Sequence, residues 1–164
     1  EKAQLELENI TPSCFAVEEL FRLAFPNSSG QCLLLGWHRR GLEAIMTDHQ
    51  NFRDYFFRPY NPKMELIENV TEFDLANGFS NLFFEIQQPR VLDQPLYDIQ
   101  TIYNFGYYFR PEWLDFMRSR IQIPINLFNF DASTAYHINF TDPLLSHDEI
   151  YKFIESISSI SLIN

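Results

Sequence analysis

Glycine is scarce in this chain: there are five in 164 residues. That leaves little material for a loop that cradles phosphates, and neither a P-loop nor a dinucleotide fingerprint occurs. The Gly-x-Ser-x-Gly nucleophile elbow is missing too. Only two cysteines, Cys14 and Cys32, are present. Two are too few for a disulfide scaffold, and they lack the spacing of a zinc site. They read as reduced thiols acting as small hydrophobes.

Long apolar runs are missing as well. The longest, such as Cys32-Leu33-Leu34-Leu35, fall far below the roughly 20 residues of a membrane-spanning helix. The start, Glu1-Lys2-Ala3-Gln4, has neither a basic head nor an apolar stretch, so no signal peptide is expected there. The absence of an initiator Met agrees with a trimmed or mature chain, which leaves an original leader open. Asn-x-Ser/Thr sequons occur at Asn9, Asn27, Asn69 and Asn139. In a chain rich in Asn and Ser they read as incidental, and a cytoplasmic location is expected.

Positive charge is in short supply. Twelve Lys and Arg face twenty-two Asp and Glu, for a formal net charge of −10. Phosphate contacts dominate nucleic-acid affinity, so this balance argues against a nucleic-acid binder. Arg39-Arg40 and Arg118-Ser119-Arg120 are the basic clusters. What the chain has in quantity is aromatic surface: seventeen Phe, eight Tyr and two Trp. Acidic chains with few aromatics stay disordered, whereas this one has the bulk to fold around a core. Its length suits one globular domain over residues 1–164, with no metal or disulfide staple required.

Local patterns place the elements. Residues 1–10 alternate like a half-buried strand or a frayed terminus. Thr11-Pro12-Ser13 starts a helix that Pro26 ends, and Asn27-Ser28-Ser29-Gly30 is a turn. Gln31 to His38 reads as a buried strand. Arg39-Arg40-Gly41 reads as a hairpin turn returning through Leu42, Ala44 and Met46, followed by a short helix capped near Asp48. The alternative to the hairpin is a helix, since Leu42, Ile45, Met46, His49, Phe52 and Phe56 lie on one helical stripe. Residues 63–70 read as a strand. A helix starts at Thr71, with Phe73, Ala76, Phe79, Leu82, Phe83 and Ile86 on one face. Residues 87–95 read as loop.

Residues 96–109 are β-rich, with Gly106 a bulge, and a short helix follows from Arg110. Arg120 to Phe130 alternates like an edge or bulged strand around Pro124. It is expected to pair with a second strand, Ala135 to Phe140, as an antiparallel neighbour. Ser146 caps a last helix with Ile150, Phe153, Ile154 and Ile157 inward. The fold class is α+β: a mixed or mainly antiparallel sheet with roughly three to five helices against it.

The four histidines are the first candidates for chemistry. His49 follows Asp48, and His137, Asp142, His147 and Asp148 fall close together. None has the spacing of a metal-binding motif, so no metal or other cofactor is expected. Carboxylate pairs are unavoidable among so many acids, and no pair stands out. With no catalytic apparatus evident, the profile is that of a binder. The expected function is an acidic immunity or inhibitor protein that neutralises a basic bacterial toxin, a nuclease being the natural target, by covering its active site. Its Phe-, Ile- and Asn-rich composition suits an AT-rich bacterial gene.

The expected contact is Asp93, Tyr97, Asp98, Tyr103 and Tyr107, where acids alternate with rigid aromatic area in a Pro-interrupted stretch. Glu65, Glu68, Glu72 and Asp74 form a second acidic run. A monomer or dimer is expected, with no membrane or nucleic-acid partner. Two other classes stay open: a small hydrolase-type enzyme with an unrecognised site, and an adaptor or interaction domain cut from a larger protein, extracellular or not.

Overall fold

A computed structural model describes residues 13–39, 41–48, 51–59, 80–81, 98–130 and 147–161. Helix α1 spans Ser13–Ala24 and buries Cys14, Val17, Leu20 and Phe21, the spacing of one helical stripe. Pro26 stops it, because the residue before a proline is pushed out of the helical region. Strand β1 is Gln31–Trp37, β2 Gly41–Thr47 and β3 Phe52–Pro59. Strand β4 follows at Ile99–Phe105, helix α2 at Trp113–Arg120 and strand β5 at Ile125–Leu127. A 3-10 helix, His147–Phe153, runs directly into α3, Ile154–Ser161.

The five strands form one mixed sheet in the order β3-β2-β1-β4-β5. Strand β2 is antiparallel to both β1 and β3, whereas β4 runs parallel to β1, and β5 parallel to β4. The α+β expectation holds, with three α-helices among the described residues. Strand β1 is central and buried on both faces, which explains its unbroken apolar run.

Side-chain alternation sorts the core into two layers. Leu33, Leu35, Trp37, Leu42, Ala44, Met46, Phe56 and Ile102 face Trp113 and Met117 of α2. Cys32, Leu34, Ile45, Phe105 and Phe128 face α1 and α3. Both thiols lie in this second layer, buried and unlinked. A buried amide ties the layers to the sheet. The Trp37 indole N–H donates to Asn104 Oδ1 at 3.0 Å, and Asn104 Nδ2 donates to the Asn126 carbonyl at 3.2 Å.

Three local expectations are corrected. The segment after Asp48 is strand β3 and not a helix. Asn51 N–H donates to Asp48 Oδ1 at 3.0 Å, and Arg53 pairs with Asp48, which closes a second hairpin. The stripe that suggested a helix is divided between the two layers: Leu42, Met46 and Phe56 face one way, and Ile45 and Phe52 the other.

The edge strand expected over Arg120–Phe130 shrinks to Ile125–Leu127, and it is parallel to its neighbour. Pro124 contributes only its carbonyl, which accepts Ile102 N–H at 2.9 Å. Arg118 of α2 donates to the Ile125 carbonyl through Nε and Nη2, at 3.1 and 2.7 Å. Gly106 ends β4 instead of bulging it. Its φ of 108° and the Trp37 backbone carbonyl, 2.6 Å from where a Cβ would sit, leave no room for a side chain. The elements expected over 1–10, 63–70, 71–86, 87–95 and 135–140 lie wholly or almost wholly outside the described residues.

Candidate functional site

Between β1 and β4 the sheet changes direction of growth: β1 continues to β2 on one side, and β4 to β5 on the other. In open sheets with parallel strands, the crevice beyond the carboxyl ends at such a reversal is where ligands bind. Three ionisable side chains meet at the carboxyl end of β1.

His38 follows β1 directly and, two residues after Gly36, continues the face turned toward α1 and α3. Glu43 lies across the hairpin on β2, opposite Gly36, and so on the same face. Its side chain is only 3% exposed and accepts from His38 Nε2 at 2.8 Å. Gly36 makes room for it. A Cβ at Gly36 would come within 2.7 Å of the Phe105 ring and 3.0 Å of Glu43 Oε2. Tyr55 and Phe57 stand on the neighbouring strand β3: the Glu43 charge acts on the Tyr55 hydroxyl, and the Phe57 ring stands 6.4 Å from the imidazole.

The third member comes from the far end of the chain. Gly106 N–H donates to the Tyr151 carbonyl at 2.8 Å, and Tyr151 N–H donates to Asn129 Oδ1 at 2.9 Å. These bonds moor the 3-10 helix beside the carboxyl ends of β4 and β5. Four residues later, in the first turn of α3, Glu155 places Oε1 3.5 Å from His38 Nδ1. The imidazole is thus held between a buried carboxylate and a half-exposed one, with a quarter of its own side chain open to solvent.

The charges act on one another. Burial lowers the affinity of His38 for a proton, but the Glu43 hydrogen bond and the charges of Glu155 and Glu43 outweigh it and raise its pKa. Burial raises the pKa of Glu155, with His38 opposing and Glu43 reinforcing the shift. Burial first, and then Glu43, raise that of the Tyr55 hydroxyl. One ligand atom each from His38, Glu43 and Glu155 lie within 4.8 Å of one another. The sequence reading, looking to His49, His137 and His147, did not single out this constellation.

A second buried acid has a structural task. Glu18 of α1 accepts from Thr47 Oγ1 at 2.9 Å and pairs with Arg22 Nε at 3.0 Å, fastening the helix to the end of β2.

Of the residues expected to form an interface, Asp98, Tyr103 and Tyr107 are among the described ones, and none of these three belongs to this site. Asp98 is exposed, and its backbone N–H donates to Gln31 Oε1 at 2.7 Å. Tyr103 is half-buried against Phe21, Phe25 and Phe128, and burial raises its hydroxyl pKa. Tyr107 is 67% exposed and meets Tyr108 edge-on. Asp93, Tyr97, Glu65, Glu68, Glu72 and Asp74 lie outside the described residues, as do His49, His137 and Asp142. No helix among the described residues is long and apolar enough to cross a membrane.

No family model and no curated protein matches the chain. Among solved structures it is similar to two from Aquifex aeolicus. One is described as a Ppx/GppA phosphatase, type II variant, at 14% identity and TM-score 0.36, covering 92% of this chain and 55% of that one. The other is described as a member of the Ppx/GppA protein family, at 14% identity and TM-score 0.35, covering 92% and 54%. The chain spans about half the length of these structures. The expectation of an immunity protein is corrected here, since these matches come from a phosphatase family and not from toxin inhibitors.

Proposed function

We propose that the chain is a hydrolase-type domain in which His38, held between Glu43 and Glu155, prepares a water molecule for attack. One observation supports the reading: a partly exposed imidazole clamped by a buried carboxylate at the carboxyl end of the central strand, where the sheet reverses. Glu43 fixes the ring by accepting from Nε2, so in the neutral imidazole Nδ1 carries the lone pair, 3.5 Å from Glu155 Oε1. A water between Nδ1 and Oε1 would donate to both and present its oxygen to a substrate in the crevice. A positioned base of this kind contributes roughly 10²–10⁴-fold to rate.

The test is turnover against acyl esters, phosphate esters and amides, with His38→Gln, Glu43→Gln and Glu155→Gln beside the native chain. Native turnover of one class, falling by about 10²–10⁴-fold in His38→Gln, is the expected result. No native turnover of any class, or an unchanged rate in His38→Gln, refutes the reading.

A further inference from the structure

We infer that His38 and Glu155 hold a divalent cation of the zinc or manganese type between Nδ1 and Oε1, with Glu43 as the outer partner that locks the ring. The ion would take the place of the water between these atoms, so that with it bound His38 would act as a ligand and no longer as the base. Its chemical role rests on the hydrolase reading, but the binding itself is measured without turnover.

Distance comes first. A hydrogen bond between these atoms would draw them to roughly 2.7–3.2 Å, and they stand 3.5 Å apart. Two donors on one ion, at metal–nitrogen and metal–oxygen bonds of about 2.0–2.2 Å and a tetrahedral angle, stand roughly 3.4 Å apart. The observed gap matches two ligands of one ion better than a donor and its acceptor.

Proton accounting points the same way. With Nε2–H donating to Glu43, a neutral imidazole has no hydrogen on Nδ1. A lone pair and a carboxylate oxygen then stand 3.5 Å apart, and their repulsion is relieved either by a proton on Nδ1, which the neighbouring carboxylates favour, or by a metal ion between them. Two carboxylates and a neutral ring carry the charge that a divalent ion balances.

The buried acid supplies an independent observation. Glu43 is more than nine-tenths buried, and it accepts from the ring nitrogen opposite the gap. Metal-binding histidines as a rule donate their other N–H to a carboxylate, carbonyl or water, which fixes the tautomer and strengthens the ligand. One nitrogen and one or two oxygens suit zinc or manganese, whereas calcium prefers six to eight oxygens. Two protein ligands, one fewer than the three usual at a catalytic zinc site, leave positions open to water.

The experiment titrates the chelator-treated full chain with Zn²⁺, Mn²⁺, Mg²⁺ and Ca²⁺ by calorimetry and follows the melting temperature. One Zn²⁺ or Mn²⁺ per chain is expected. Glu155→Gln, a half-exposed change that leaves the core intact, and His38→Gln should each weaken binding at least tenfold, and Mg²⁺ and Ca²⁺ should bind far more weakly. Co²⁺ should give visible bands that His38→Gln abolishes, which reports nitrogen ligation directly.

Failure of the native chain to bind Zn²⁺ and Mn²⁺ overturns the inference. So does binding that survives both substitutions, or a doubly protonated His38 in NMR spectra that Zn²⁺ leaves unchanged. A bound ion with no substrate turned over would sink the hydrolase reading alone. Turnover by a chain that binds no ion would sink the cation alone.

Discussion

Replacing His38 with Leu removes the hydrogen-bond partner of a carboxylate that is only 3% exposed. Removing one member of a buried pair costs roughly 3–5 kcal/mol, because the remaining charge is stranded away from water. The imidazole itself is a quarter exposed, so its loss admits some water and the lower end applies, about 3 kcal/mol. In a chain of this size each kcal/mol moves the melting temperature by roughly 2–4 °C, so a fall of about 6–12 °C is expected. Glu43→Leu should cost less, near 1 kcal/mol, because the half-open ring nitrogen can turn to solvent. The double change removes both charges and should recover most of the loss. Urea and thermal unfolding of all four chains in chelator closes the cycle. If His38→Leu costs under about 1 kcal/mol, or the double variant loses the sum of the singles, Glu43 is not sustained by the imidazole.

Four further outcomes follow from the packing. Phe128 is fully buried among Phe21, Phe105, Phe130 and Tyr103, so Phe128→Ala should cost roughly 3–5 kcal/mol in urea unfolding. A loss under about 1 kcal/mol would contradict the second core layer. Asn104→Ala orphans the buried Trp37 indole N–H and should cost about 1–3 kcal/mol, with a changed near-ultraviolet signal; an unchanged midpoint would refute it. Gly36→Ala forces a methyl group against Phe105 and Glu43, and should cost about 1–3 kcal/mol while lowering any turnover; full stability and rate would show that the carboxylate tolerates displacement.

The last concerns alkaline pH. Burial raises the thiol pKa values of Cys14 and Cys32 and the phenol pKa of Tyr103 above their unfolded values. Their contribution is therefore complete below the unfolded values and is lost as pH rises through the folded ones. Melting temperature should fall between about pH 8 and pH 11, and less steeply in Cys32→Ala; a flat profile would contradict burial of these groups.

Much of the sheet was legible. Pro26 marked the end of α1, the apolar run from Cys32 to Leu35 marked a strand covered on both faces, and Arg39-Arg40-Gly41 marked the first hairpin. The second hairpin was not, because six apolar residues satisfy a helical stripe as readily as they divide between two faces of a sheet. What settled it was a turn bond from Asn51 to Asp48, invisible to periodicity. The parallel pairing of β5 was missed for a similar reason: alternation fixes faces, not direction. Half of the site could have been read. Once the hairpin is drawn, His38 and Glu43 fall on one face, a diagonal pair across the turn. Glu155 could not, since its place depends on the 3-10 helix docking at Gly106.

The two sides of β1 are joined by bonds of very different reach along the chain. On one side its partner is the next segment, so Trp37 meets Leu42 almost at once. On the other side Gln31 must find Ile99. The meander β1-β2-β3 can therefore assemble from local encounters, while the parallel seam with β4 waits on closure of a long stretch of chain. Local pairings form quickly and distant ones set the pace, so acquisition of the seam should be the slow step of folding. Its entropy grows only with the logarithm of length: doubling the intervening stretch would add roughly 0.6 kcal/mol. The central strand is thus both the earliest part of the sheet to find a neighbour and the last to be completed.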